Sequence, residues 1–421
     1  MQDTYNTNWK RNIALFMAGQ GVSLFGSMLV HYAVMWHITL KTQSGFMMTL
    51  FTAAGALPMF FISPFGGVWA DRYNKKYLIN IADAVIAAVT LVMALFFSLG
   101  YDYAGLLLTC SVMRAFGQGV QTPAVNALIP ELVPQEQLTR VNGINGSVQS
   151  LVMFASPMAG GALLAVAPVQ TLMFLDVITA VIGISILFFF VKTPARIRKS
   201  ENDKDARLYF HDIREGLAYI GKHSFVKKFI VLSAVFNIMV APAAILTPLQ
   251  VTRDFGDGIW RVFGGISFGP EQRLAAVEVV FFIGMMLGGL VIGAWGGFKN
   301  KSHSMALSVS LFGLGAVGLG VITNFWAYLA CMCLTGLVMS FFNVPVMAVL
   351  QTNVDGAYMG RVFSVLTMMS SLMMPLGMVL WGPLGDVVSI DWLLIGTGAF
   401  LFLMGFVFVF DKTLLKAGAS V

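Results

Sequence analysis

Four ionisable residues, Asp83, Arg114, Asp176 and Glu278, stand inside runs that are otherwise almost wholly apolar. A charge in hydrocarbon costs ~2.5–3.5 kcal/mol on insertion scales, so such residues usually face an interior and mark ion or substrate paths. A carboxylate in a low-dielectric site gains affinity for a proton, and a nearby cation reverses that gain. Groups of this kind could exchange a proton for a substrate. Each also has a plainer reading. Asp83 can pair with Arg72 or with a lysine of the same loop, Glu278 and Asp176 can lie among the headgroups, and Arg114 can serve structural pairing rather than a cavity. His31 and His37, on the outer part of the first run, read as hydrogen-bonded packing residues rather than proton carriers.

Long apolar helices must carry these groups. Hydrophobic residues make up 57% of the 421-residue chain and charged residues only 11%, too few to clothe a water-soluble surface. Runs near 20 residues match the ~30 Å hydrocarbon core at ~1.5 Å of rise per helical residue. They fall at 13–38, 46–70, 77–98, 104–127, 141–166 and 170–191, then at 226–250, 275–298, 304–323, 325–350, 361–384 and 390–410. Helices satisfy their own backbone hydrogen bonds, which lipid cannot do for them. The expected fold is an all-α membrane protein with twelve transmembrane helices, six in an N-terminal bundle (1–191) and six in a C-terminal bundle (226–421). Between them a charged cytoplasmic linker (192–225) places Leu208, Ile213, Leu217 and Ile220 at helical spacing, which predicts a short amphipathic helix at the membrane surface. The Gly-rich loop from Val251 to Arg273 has no evident purpose.

An even number of spans puts both termini on one side. With that side as the cytoplasm, only Lys41, Arg253, Arg261 and Arg273 of the 26 Lys and Arg lie outside, and Arg114 lies within a span. This asymmetry follows the positive-inside rule. The net charge of +6 is thus spread over short loops that face an anionic leaflet, and no nucleic-acid partner is expected. The first apolar run is too long for a cleavable leader. Cys110, Cys331 and Cys333 all fall within spans and predict neither a disulfide nor a metal site. No Gly-rich loop ending in Lys-Ser or Lys-Thr is present, so ATP is not the expected energy source. No catalytic cluster appears either. The chain reads as a monomeric transporter without cofactors rather than an enzyme.

The two halves look like copies. Gly67, Trp69, Asn74 and Lys75 recur as Gly293, Trp295, Asn300 and Lys301, 226 residues on. Pro123 through Arg140-Val141 echoes Pro345 through Arg361-Val362, and Ser156-Pro157 with Gly160-Gly161 is loosely matched by Met374-Pro375 with Gly377. Duplicated six-span bundles suit alternating access around a site near the bilayer midplane.

Gly67-x-x-x-Asp71-Arg72-x-x-Lys75-Lys76 resembles the cytoplasmic signature of the major facilitator superfamily, with Asn74 in place of the usual glycine. Asparagine also tolerates the left-handed conformation that a tight turn needs. The stretch from Arg114 to Ser150 resembles the macrolide-efflux branch of that superfamily's drug:proton antiporters. So do Phe174-Leu-Asp176-Val, Arg214-Glu215-Gly216, and Glu278 with Gly284, Gly288 and Gly289. The resemblance implies a bacterial cytoplasmic-membrane protein, multi-pass, with both termini inside. It also implies a gate at Gly67, Asp71, Arg72, Lys75 and Lys76, whose cations can pair with carboxylates across the two halves. Ser156, Pro157, Gly160 and Gly161 resemble the antiporter motif; there Pro157 kinks the helix and the small residues admit a close neighbour. The function implied is proton-coupled efflux of lipophilic drugs such as macrolides. Its partners would be the substrate, protons and the bilayer. The same fold exporting an endogenous metabolite, siderophore or lipid is the alternative.

Overall fold

The computed structural model describes residues 8–193, 218–255, 260–261, 267–354 and 356–419. Its first half holds α1 (Trp9–Thr42), α2 (Gly45–Arg72), α3 (Lys75–Ser98), α4 (Ala104–Leu132), α5 (Leu138–Leu164) and α6 (Val169–Ser185), the last prolonged by a π turn over Ile186–Phe190. Its second half holds α7 (Ser224–Ile245), α8 (Thr247–Asp254), α9 (Pro270–Trp295), α10 (Lys301–Val321), α11 (Phe325–Asn353), α12 (Gly356–Leu384), α13 (Ile390–Phe410) and the short α14 (Lys412–Ala419). Among the described residues, ten helices are long and apolar enough to cross a bilayer. The polar residues Arg114, Gln118, Gln121 and Asn126 lower the hydropathy of α4, as expected of a helix with an interior face.

One predicted boundary moves and one span is interrupted. The run 226–250 remains a single candidate span, Ser224–Asp254, in which α7 gives way at Leu246 to α8 with Pro248 in its first turn. Proline is favoured there because its missing N–H is an orphan at any helix start. The Gly-rich loop is also shorter than expected. Between α8 and α9, Trp260–Arg261 pairs antiparallel with Ser267–Phe268, and α9 begins at Pro270. Arg273 is therefore a buried helical residue, not a loop cation, and its guanidinium donates to the carbonyl of Phe255. Of the expected amphipathic linker helix, Leu208, Ile213 and Leu217 lie outside the described residues, whereas its end is helical over 218–222 and buries Tyr219 and Ile220 in the core of the second unit.

Two compact units divide the chain: Met1–Lys41 with Leu50–Asp203, and Thr42–Thr49 with Lys204–Val421. In the first, Phe16, Ile79, Leu128, Ile129, Val141 and Leu187 share a core built from α1, α3, α4, α5 and the π turn after α6. In the second, Phe229, Phe236, Phe312, Phe342, Leu401 and Phe408 form the larger core, with Phe236 stacked on Phe342 at 4.5 Å. Close backbone approach lets α10 and α13 meet. A Cβ on Gly398 would come within 2.8 Å of the Val317 nitrogen.

The sequence repeat is a repeat of capping. Asn74 Oδ1 accepts the Lys76 N–H at 3.0 Å to start α3, and Asn300 Oδ1 accepts the Ser302 N–H at 3.0 Å to start α10. Asn74 is extended, with φ −68° and ψ 114°. The left-handed turn expected there is absent, because a side-chain cap supplies the reversal that a glycine would otherwise make. Left-handed backbone occurs instead in the second copy, at Gly296 and Gly297 (φ 74° and 76°).

Candidate functional site

Three of the four candidate charges meet in the first unit, on helices whose polar residues recur every seven positions. Gln20 and Ser27 lie on α1, Asp83 and Thr90 on α3, and Arg114 and Gln121 on α4. Seven residues are nearly two helical turns, so each pair shares one face with about 10 Å between its members. The chain direction of α4 is reversed relative to α1 and α3, so its pair runs in the opposite order. The outcome is a polar ladder with two rungs.

One rung is ionic. Arg114 Nη1 lies 2.6 Å from Asp176 Oδ2 and also donates to Thr90 Oγ1. Thr90 Oγ1 is 3.1 Å from the same carboxylate oxygen and 2.9 Å from the Ile86 carbonyl, so its single proton serves one or the other. Ser27 Oγ donates to Asp176 Oδ1 at 3.3 Å. Asp176 is 0% exposed and Arg114 7%. Gly26 makes the approach of α1 to α6 possible, since a Cβ there would meet Asp176 Cα at 3.0 Å.

The other rung is neutral apart from one carboxyl. Gln121 Nε2 donates to Asp83 Oδ1 at 2.7 Å, Gln20 Nε2 reaches Asp83 Oδ2 at 3.4 Å, and Gln121 Nε2 lies 3.3 Å from Gln20 Oε1. Asp83 is 2% exposed, and among the described residues no cation lies within ion-pair distance of it. The expected pairing of Asp83 with Arg72 or a loop lysine is not what the structure has; amides take that place. Gln20, Ser27, Thr90 and Gln121 went unnoticed in the sequence because each is a lone neutral polar residue. Their shared seven-residue spacing was the available signal.

The remaining candidates lie apart. Glu278 is half-buried on α9 in the second unit, with no hydrogen bond or ion pair among the described residues. Nearby, Gly284 and Gly288 let α9 pack against the backbone of Cys333 and Leu337. In the gate segment Gly67 is half-buried while Asp71 and Arg72 are exposed. Lys75 and Lys76 bond within their own unit: Lys75 Nζ lies 2.7 Å from Glu131 Oε1, and Lys76 Nζ donates to the Val191 carbonyl at 2.7 Å. The antiporter-like residues Ser156, Pro157, Gly160 and Gly161 are all buried on α5. Gly160 faces the Trp36 ring of α1, where a Cβ would sit at 3.4 Å. Ser156 Oγ and Trp36 Nε1 are buried without a hydrogen-bond partner among the described residues.

His31 is exposed and stacks on Phe51 at 5.5 Å, whereas His37 pairs with Asp102 at 3.1 Å beside a Lys41–Asp102 contact of 2.7 Å. Burial pushes the Asp102 carboxyl up, but hydrogen bonds and charge from Lys41 and His37 outweigh it and hold it below its usual value.

The family model of the Major Facilitator Superfamily matches residues 12–277 and 265–418 of the chain. Macrolide efflux protein A of Streptococcus pyogenes is 28% identical over 93% of this chain and 94% of its own length. Macrolide efflux protein A of Enterococcus faecalis is 27% identical over 77% of this chain and 96% of its own. Among solved structures, that of the nucleoside transporter NupG aligns with a TM-score of 0.70 at 13% identity, covering 96% of this chain and 100% of the other.

Proposed function

The chain belongs to the major facilitator superfamily of membrane transporters, and from that membership we propose that it exports lipophilic compounds, macrolides among them, in exchange for protons. The observation that carries the reading is the split ladder of the first unit. Its ionic rung is neutral as a pair: Arg114 offsets Asp176, and Thr90 and Ser27 fill the remaining hydrogen bonds. Its other rung leaves Asp83 on two amides alone. An uncompensated buried charge is costly, and a proton removes it. Asp83 is therefore our choice of proton carrier ahead of Asp176. Its fuller burial puts it ahead of Glu278, which also lacks a cation among the described residues but is half-buried. The likeness to macrolide efflux proteins over nearly the whole chain supports the substrate class. Alternating access with both termini in the cytoplasm completes the reading, and the Lys and Arg asymmetry supports that orientation.

One proton entering with the membrane potential brings ~2.3 kcal/mol per 100 mV, enough for about a 50-fold gradient of an uncharged substrate. Cells expressing the protein are loaded with a panel of macrolides and other lipophilic drugs, and efflux is followed with and without a protonophore. Export should collapse with the protonophore. Asp83→Asn should insert normally yet lose the response of transport to an imposed pH gradient. Glu278→Gln should keep that response. Drug export that persists without a proton gradient would refute the coupling, and a panel that yields no exported drug would turn the search to endogenous products.

A further inference from the structure

We propose that the groove between the first turns of α1 and α5 binds an anionic phospholipid, with its phosphate at the mouth and an acyl chain along the seam of the two helices. The groove lies wholly within the first unit, and its volume is about 370 Å³. Trp9, Lys10 and Arg140 stand at its mouth, and Ile13, Met17 and Val141 line its floor. Lys10 and Arg140 are both exposed, and among the described residues neither has a carboxylate partner. Lys10 Nζ rides over the Trp9 ring at 5.8 Å from its centroid. Tryptophan on a helix end belongs at the membrane–water interface, which sets the depth of the mouth.

The floor decides what the cations hold. Ile13 and Met17 follow Trp9 at intervals of four, so they descend one face of α1 away from the charges. Ile13, Met17 and Val141, at 5–7% exposed, close the groove on the core of the unit, while Ala14 and Ile144, the latter 47% exposed, leave an apolar strip open beside them. A free phosphate would use the two cations and leave this strip bare. A zwitterionic lipid would cover the strip, but its own ammonium would compete with Lys10 and Arg140 for the phosphate. A phospholipid with net negative charge uses both parts. The site is independent of the exported substrate and of the carboxylate that carries protons.

The test is lipid binding by the full chain in neutral detergent. Phosphatidylglycerol with brominated acyl chains is titrated in, and quenching of Trp9 is read as the difference between the native protein and Trp9→Phe. Quenching should saturate. A cation near a charged lipid is worth about fivefold in affinity, so Lys10→Gln with Arg140→Gln should raise the half-saturating concentration roughly 25-fold. Brominated phosphatidylcholine should bind about as weakly to the native protein as phosphatidylglycerol does to that double variant. Lys222→Gln with Lys227→Gln removes the same charge from exposed positions of the other unit, and it should change nothing. All four lysine and arginine positions are on the surface, so thermal unfolding should show both double variants folded. Equal weakening by the control pair would reduce the effect to general surface charge and overturn the site. So would reversal of quenching by glycerol 3-phosphate at similar concentration, or Trp9 emission that brominated lipid leaves untouched, which would give the groove to another occupant.

Discussion

At the scale of single residues, the sequence announces charges and conceals their partners. Asp83, Arg114 and Asp176 were legible because an ionisable group in an apolar run is expensive and therefore conspicuous. Their environments were not, because Thr90 and the two glutamines are individually unremarkable in a membrane helix. That difference separates two carboxylates that look alike in sequence. Breaking a buried pair leaves an uncompensated charge and costs ~3–5 kcal/mol, while replacing both members by apolar residues is often near neutral. Arg114→Leu and Asp176→Leu should each lower the unfolding temperature in detergent strongly. The double variant should lie closer to the native protein than either single one does. Additive losses would mean that the 2.6 Å contact contributes no coupling energy.

At the scale of elements, the long helices were legible in their apolar runs, and their ends were legible only where a side chain makes the end. Asn74 and Asn300 stand at matching positions of the repeat, and each caps the helix that follows. The sequence suggested a left-handed turn at Asn74, but the cap explains the asparagine better than conformational tolerance does. An N-cap lost to alanine costs ~1 kcal/mol. Asn74→Ala and Asn300→Ala should each destabilise by about that amount. Asn74→Asp should not, because a carboxylate caps equally well, whereas Asn300→Asp should, because a carboxylate cannot donate to the Leu415 carbonyl. Asn300 should be the more sensitive of the two, since its Nδ2 also donates to the Leu415 carbonyl at 3.0 Å. Unfolding of the four variants in one detergent checks the order. The interruption between α7 and α8 falls inside one span, Ser224–Asp254, and hydropathy continues through it. Pro248 was the only mark of the restart, and one proline in a membrane helix is too common to decide a boundary.

At the scale of the whole molecule, the twofold repeat was the most legible feature, since matching positions 226 residues apart place the same cap before α3 and α10. No repeat reveals where an individual segment is held. Thr42–Thr49 comes from the first half of the sequence yet belongs to the second unit. Asp386, just past α12, holds it there: Ser44 Oγ and the Gly45 and Phe46 N–H groups donate to its carboxylate at 2.7, 2.7 and 2.9 Å. Arg253 adds a contact at 3.3 Å and donates to the Gln43 carbonyl at 2.5 Å. Burial pushes the Asp386 carboxyl up, but the Phe46 N–H, Ser44, the Gly45 N–H and Arg253 outweigh it and hold it below the usual carboxylate value. A group whose value is lowered by folding stabilises the fold above its unfolded value, and that contribution fades as pH falls through the folded one. The stabilisation by Asp386 should thus be complete above about pH 4, the ordinary aspartate value, and should shrink below it. Asp386→Asn lacks it at every pH. The difference in unfolding temperature between native protein and variant should be constant from pH 7 to about pH 5 and close progressively toward pH 3. A gap as wide at pH 3 as at pH 7 would mean that the carboxylate charge is not what fastens this segment.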